Sequence, residues 1–263
     1  MDFQGVVIGA GDLGQRLAAR RVADGDAVCA LRRRQLPMPE GVHAVHGDMF
    51  DSNDLARLPN RPDWLVFCAT PDAGTEASYR KLYVEGLRAC LNVIRPQRCL
   101  FVSSTSVYGQ NGGEWVDEDS PAEADAFNGR VLREAEAVCL QRPENRVLRL
   151  SGITGPGRHR LVNKALLGEG IANVWSNRIH IDDAAAALSH LIDRPGTDAV
   201  LNVSDDLPCP QLEVANWIRA GQRLPPLPAF SEAPSGRRIS NRRLRAAGWV
   251  PGYPSYRESY PHR

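Results

Sequence analysis

Lysine is almost absent from this 263-residue chain: Lys81 and Lys164 are the only two, and every other fixed positive side chain is arginine. No tyrosine is followed four residues later by a lysine, which excludes a tyrosine–lysine acid–base pair one helical turn apart. No Cys-x-x-Cys occurs either. The six cysteines (29, 68, 90, 99, 139 and 209) are scattered through apolar runs, and their spacing to histidine fits no zinc template. They read as reduced core residues of a cytoplasmic protein, and no metal site is expected. Apolar runs stay short of the ~18 residues of a membrane span. Surplus charge is lacking too. The formal net charge is +1, which favours neither nucleic acid nor a membrane surface as partner. The basic stretch Arg237–Arg245 is short and C-terminal, and does not change that expectation. The first strand is expected to begin by Gln4, leaving no room for a signal peptide.

What is present is an alternating pattern. Short apolar runs at 3–8, 27–31, 42–46, 64–69, 98–103 and 146–151 suit buried strands. Between them, residues 12–23, 51–57, 75–94 and 127–141 carry helical spacing. This alternation predicts an α/β fold with a doubly wound parallel sheet of Rossmann type. After Thr154 the pattern becomes irregular. Helices are predicted near 161–167, 183–192 and 211–220, and strands at 178–181 and 200–203. The proline-rich stretch 224–235 reads as a surface linker. The reading is a dinucleotide-binding domain over 1–154. It is followed by a small, reduced substrate-binding region over 155–263, some segments of which return to the core.

Gly9, Gly11 and Gly14 form Gly-x-Gly-x-x-Gly between a predicted strand and helix. The first glycine permits a tight turn, the second lets a pyrophosphate approach the backbone, and the third lets helix and strand pack closely. Asp12 and Leu13 open the helix whose N-terminus faces the phosphates. The second strand ends in Arg32, Arg33 and Arg34, not in the acidic residue that would hold the ribose hydroxyls of NAD. Arginine suits the 2′-phosphate, so NADP(H) is expected to be preferred over NAD(H). Asp48 and Met49 follow the third strand and can border the adenine, although Asp48 could equally cap the next helix with Asp51. Ala69 and Thr70 end the fourth strand, and Ser103 ends the fifth, at the sheet edge where a cofactor lies.

These blocks occur in order with Tyr83-Val84-Glu85-Gly86, Val102–Gly109, Arg149, Gly155-Pro156-Gly157, Ile179–Ala184, Ile239-Ser240-Asn241 and Gly248–Pro251. Together they resemble the extended short-chain dehydrogenase/reductases, the NAD(P)-dependent epimerase/dehydratase family, over nearly the whole length. The resemblance implies four cooperating side chains: an asparagine, a serine, and a tyrosine and lysine one turn apart. Ser104 keeps the serine position and Tyr83 stands at the asparagine position. The tyrosine and lysine positions fall on Asn128 and Leu132, or one residue earlier on Phe127 and Val131. Neither register restores an acid or base. The chain thus resembles atypical members of the family.

Ser104, Tyr83 and Tyr108 are the candidate catalytic residues. Tyr79 and Tyr83 share one helical face. Arg158, His159 and Arg160 could bind an anion or form a plain surface loop. His180 reads as a packed, hydrogen-bonded histidine and Lys81 as solvated. The acidic segment 109–125 reads as a solvated connector or a lid. In the sugar-nucleotide epimerases of the family that this chain resembles, a long segment between the Gly-Pro-Gly and Asp-Asp blocks helps to build the nucleotide-sugar pocket. Here only residues 158–181 separate Gly157 from Asp182, and the resemblance therefore implies a ligand smaller than a nucleotide sugar. The expected function is an NAD(P)-dependent oxidoreductase or epimerase-type protein with a small polar substrate. The alternative is a non-enzymatic NADP(H)-binding sensor. The resemblance also implies a homodimer through the two long helices.

Overall fold

The computed structural model describes residues 3–262. β1 (Gly5–Ile8), α1 (Asp12–Ala23), β2 (Val28–Arg32), β3 (His43–His46), α2 (Ser52–Ala56) and β4 (Trp64–Phe67) come first. α3 (Glu76–Tyr79), a π-helical turn (Arg80–Gly86) and α4 (Leu87–Ile94) then lead to β5 (Arg98–Ser104). β6 (Gly112–Val116), α5 (Phe127–Cys139), β7 (Arg146–Leu150), β8 (Gly152–Thr154), α6 (Arg160–Leu167), β9 (Trp175–Ser176) and β10 (Arg178–His180) follow. The chain closes with α7 (Ile181–Ile192), β11 (Val200–Val203), β12 (Cys209–Pro210), α8 (Gln211–Gly221), β13 (Gly236–Ile239), α9 (Arg242–Ala246) and α10 (Tyr256–Ser259).

Seven strands form one sheet in the order β11-β7-β5-β4-β1-β2-β3, every pair parallel. From β1 the chain moves outward through β2 and β3, then restarts at β4 on the other side. That reversal opens a crevice at the carboxyl ends of β1 and β4, where such sheets bind ligands. Strand alternation splits the core into two layers. Val6 and Ile8 pack with Leu87, Val131 and Ala135, beneath α4 and α5. Val7 packs with Leu17, Ala184 and Leu188, beneath α1 and α7. A third cluster joins Ala165, Val214, Ala215, Ile218 and Tyr256 in the C-terminal part. Among the described residues no helix is long and apolar enough to cross a membrane.

Two segments differ from expectation. The helix expected over 75–94 is interrupted by the π turn, which carries Tyr83. Gly86 packs so closely that a Cβ there would lie 2.9 Å from Met49 Sδ. Within 109–125, residues 112–116 form a strand, residues 117–125 stay a largely exposed acidic connector, and none of the segment lines the main cavity. β6 pairs in parallel with β13, and the buried Glu118 accepts the Asn202 amide at 2.7 Å. The uniformly acidic, glycine-containing segment carries no local sign of this strand, because its partner is remote in sequence.

A buried acidic group near the sheet edge supplies a pH-dependent expectation. Asp205 lies 3.4 Å from the buried Arg178, yet among the described residues Arg178 Nε and both Asp205 oxygens have no hydrogen-bond partner. Burial pushes the Asp205 carboxyl up to about 7, against the pull of Arg178. The folded value exceeds the unfolded one, so folding favours the protonated form. The stabilisation is complete below the ordinary aspartate pKa of about 3.9 and is lost as pH rises towards 7. Asp205→Asn should therefore gain thermal stability relative to wild type between pH 5 and pH 8. A pH-independent difference in melting temperature would show that Asp205 stays ionised beside Arg178.

Candidate dinucleotide site

The three glycines of the β1–α1 turn do different work. Gly9 has φ +88°, and a Cβ there would lie 2.3 Å from the Ala69 Cα, so the fold itself requires glycine. A Cβ at Gly14 would lie 2.8 Å from Gly9 O and 3.0 Å from Val7 Cγ1, so this glycine sets the helix–strand distance. Gly11 is N-cap of α1 with φ −77°, a conformation open to any residue. A Cβ there would meet only Gly9 O at 4.0 Å. No part of the chain requires glycine at this position. The space left open belongs to a cavity, as a close-approaching ligand requires. Among the described residues no side chain caps α1, so its first N–H groups are available to an anion.

The cavity, about 800 Å³, follows the carboxyl ends of the strands. Towards β2 it is lined by Arg32, Arg33, Arg34, Asp48, Met49 and Phe50. Gly9, Gly11, Asp12, Leu13, Ala69, Thr70 and Asp72 line its middle. Towards β5 and β7 it meets Tyr83, Ser103, Ser104, Leu132, Ser151 and Arg158. Asp48 accepts the Phe50 amide at 3.0 Å and lines the cavity. The α2 cap belongs to Asp51, which accepts the Asn53 amide at 2.8 Å. Arg32 is turned towards Pro37 O and Met38 Sδ, each 3.5 Å away. Asp12 is held by Arg16 at 2.8 Å and Arg158 at 2.5 Å. Burial raises its carboxyl, but the two guanidinium groups outweigh this and lower it.

At the β5 end, Ser104 Oγ accepts the Ser106 amide at 3.1 Å. Among the described residues that hydroxyl donates to none, so its proton remains available to a ligand oxygen. Tyr83 is nearly buried and packs edge-on against Tyr79 and Phe101, with ring centroids 5.3 and 6.0 Å away. Burial pushes its phenol up, so it stays neutral and can donate a hydrogen bond but does not give up its proton easily. Cys68 also lines the cavity, with burial pushing its thiol up to about 12. It is therefore no ready nucleophile.

Two candidates are placed otherwise than expected. Tyr108 does not line the cavity. It is fully buried, accepting from Arg149 and donating to Asn202, both at 2.9 Å. Its apolar ring and polar tip are both satisfied in the core, which removes it from the reacting end. Ser103 lines the cavity, but its hydroxyl is committed to Glu136 Oε1 at 2.7 Å. Glu136, wholly buried, also accepts Arg149 Nε at 3.0 Å and Nη2 at 2.7 Å. This ion pair lies directly under the β5 and β7 ends.

Of the two registers for the missing pair, only Leu132 reaches the cavity. Phe127, Asn128 and Val131 do not line it. An apolar wall stands where a cation would otherwise influence the site. His180 is packed as expected. Its ring stacks on Tyr253 at 3.6 Å, and Nδ1 accepts the Asp182 amide at 3.3 Å. Of Arg158, His159 and Arg160, only Arg158 lines this cavity. Lys81 is exposed but lies on the cavity wall, 4.7 Å from the Phe50 ring centroid. Sequence reasoning missed Asp72, Phe50 and Ser151. No local signal marks them, although Asp72 and Ser151 closely follow strand ends and are found by position.

A glycine turn at the switch point of a doubly wound parallel sheet defines a Rossmann-type dinucleotide-binding protein. More particularly, the chain belongs to the NAD dependent epimerase/dehydratase family, whose profile matches residues 6–204. Protein YeeZ of Escherichia coli K12 is 29% identical over 214 residues, 75% of this chain and 76% of that protein. A Methylobacillus flagellatus structure carrying the same NAD-dependent epimerase/dehydratase description is 38% identical. It matches 99% of this chain and 97% of its own, with a TM-score of 0.88. MoeE5, solved with UDP-glucuronic acid and NAD, shares the fold at 23% identity. It matches 99% of this chain and 97% of its own, with a TM-score of 0.83.

Proposed function

We propose that this protein is an NADP-dependent oxidoreductase or epimerase-type enzyme that acts on a small polar substrate beside Ser104. The observation that carries the reading is Gly11: its φ is not one reserved for glycine and a Cβ there meets nothing closer than 4.0 Å, so its value lies in the room it leaves for a dinucleotide. Gly9 to Leu13 would hold the pyrophosphate, and Ala69 and Thr70 the adjoining ribose. Asp48 and Met49 would border the adenine, and Arg33 and Arg34 would favour a 2′-phosphate. The nicotinamide would supply hydride transfer. Ser104 would orient a substrate oxygen, and Tyr83, as an un-ionised phenol, would donate a hydrogen bond to it. The short segment 158–181 supports a ligand smaller than a nucleotide sugar; tight UDP-sugar binding would contradict this.

The apolar wall at Leu132 favours a second reading, a non-enzymatic NADP(H) sensor. A sensor needs unequal affinity for oxidised and reduced forms, because a ligand that binds two conformations equally shifts nothing.

Thermal unfolding with NADP+, NADPH, NAD+ and NADH tests both readings. A ligand at 100 times its Kd adds about 2.7 kcal/mol, which raises Tm by about 5–10 °C for a chain of this size. The NADP pair is expected to give the larger shift. Equal or larger shifts with the NAD pair would overturn the NADP preference, and no shift with any form would overturn both readings. Turnover on a carbonyl or hydroxyl panel, lost in Ser104→Ala, would favour the enzyme. A marked difference between NADP+ and NADPH without turnover would favour the sensor.

A further inference from the structure

The β2 end of the cavity holds an ion pair that crosses its mouth. In the sheet, β2 and β4 flank β1, so the loops that follow them stand on either side of the glycine turn. Arg33 lies on the first loop and Asp72 on the second. Arg33 Nη1 donates to Asp72 Oδ2 at 2.6 Å, and Nη2 donates to Oδ1, giving a two-pronged pair. Both residues line the cavity.

Asp72 has further cationic neighbours. The hydrogen bond from Arg33 is the main cause holding its carboxyl below the ordinary range, and the charges of Arg33, Arg34 and Lys81 add to this. Asp72 pairs with Arg33, and Arg34 and Lys81 line the same cavity wall. A carboxylate gripped by a guanidinium fork presents two oxygens in the arrangement that a phosphate monoester presents. The pair is also easily exchanged. Arg33 is 53% and Asp72 69% exposed, and ion pairs this open to solvent are held weakly.

We infer that Asp72 is a specificity-determining residue that occupies Arg33 as an internal anion. A 2′-phosphate must displace it, whereas a dinucleotide without that phosphate need not. The inference rests on reading the cavity as a dinucleotide site. It goes further by making the NADP-to-NAD ratio a balance between Arg33, which attracts the phosphate, and Asp72, which competes with it. A phosphate near charge −2 can win the guanidinium, but Asp72 remains close by and repels it. Lys81 and Arg34 offset part of that repulsion.

The experiment measures Kd for NADP+ and NAD+ with wild type, Asp72→Asn, Asp72→Glu, Arg33→Ala and the Arg33→Ala/Asp72→Asn double variant. Asp72→Asn should tighten NADP+ by about threefold to tenfold and leave NAD+ within about twofold, with the gain shrinking in high salt. Asp72→Glu, which keeps a carboxylate within reach of Arg33, should retain the wild-type ratio. In the double variant, most of the Asn gain should vanish. An unchanged ratio in Asp72→Asn would overturn the inference. So would weaker NADP+ binding, because Asp72 would then be orienting Arg33 for the phosphate. Wild-type preference is read separately. If wild type favours NAD+ while Asp72→Asn still raises relative NADP+ affinity, the inference stands and the proposed preference fails. Failure of wild type to bind either dinucleotide overturns both.

Discussion

Gly11→Asp is expected to abolish dinucleotide binding while leaving the melting temperature of the free protein unchanged or slightly raised. Gly11 is the N-cap of α1 at φ −77°, and aspartate is among the favoured N-cap residues. Its Cβ would meet Gly9 O at 4.0 Å and nothing closer. The new carboxylate would instead stand where a pyrophosphate needs N–H donors and a positive dipole end. We expect a loss of affinity on the order of 10²-fold or more, from lost space and added repulsion together. Gly9→Ala provides the contrast. Its Cβ would press on the Ala69 backbone at a positive φ, a strain of a few kcal/mol that should lower Tm by about 5–10 °C. Calorimetric titration with NADP+ beside thermal scans separates the two. A Gly11→Asp protein that binds NADP+ within threefold of wild type would remove the principal support for a dinucleotide site.

Glu136→Leu should cost about 3–5 kcal/mol of stability, because it leaves the Arg149 guanidinium buried without its counter-ion. Glu136 and Arg149 have side-chain exposures of 0% and 3%, with Nη2 2.7 Å from Oε2. Ser103 loses its acceptor in the same step. At about 2–4 °C per kcal/mol, Tm should fall by roughly 6–20 °C. The double variant Glu136→Leu/Arg149→Met should recover most of that loss, since replacing both charges with apolar groups removes the desolvation problem. Denaturant unfolding of the two variants checks this. A double variant as unstable as the single one would mean that the pair's hydrogen bonds to Ser103 and Tyr108, and not its charge balance, hold the β5 and β7 ends together.

Local patterns made much of this protein legible. The Gly9–Gly14 run, the buried strands and the stretch Ser103-Ser104 announce a dinucleotide fold because each depends on neighbours a few residues away. The lost tyrosine–lysine pair was equally visible, since an i to i+4 spacing is a property of one helix. Even the shared face of Tyr79 and Tyr83 survived the π turn, with their rings 5.3 Å apart.

Other features required the folded chain. Tyr108 stands close after Ser104 in sequence, yet its hydroxyl is bound to Arg149 and Asn202, 41 and 94 residues away. Residues 112–116 of the acidic segment became a strand because β13, far along the chain, pairs with them. Arg33 meets Asp72 across 39 residues, and Arg158 meets Asp12 across 146. Residue type and spacing determined by themselves the strand–helix alternation, the glycine turn and the absence of the usual acid–base pair. Only the tertiary structure decided which charges face one another across the cavity and which tyrosine reaches it. Those outcomes depend on side-chain directions set by packing between distant segments, which no local pattern encodes.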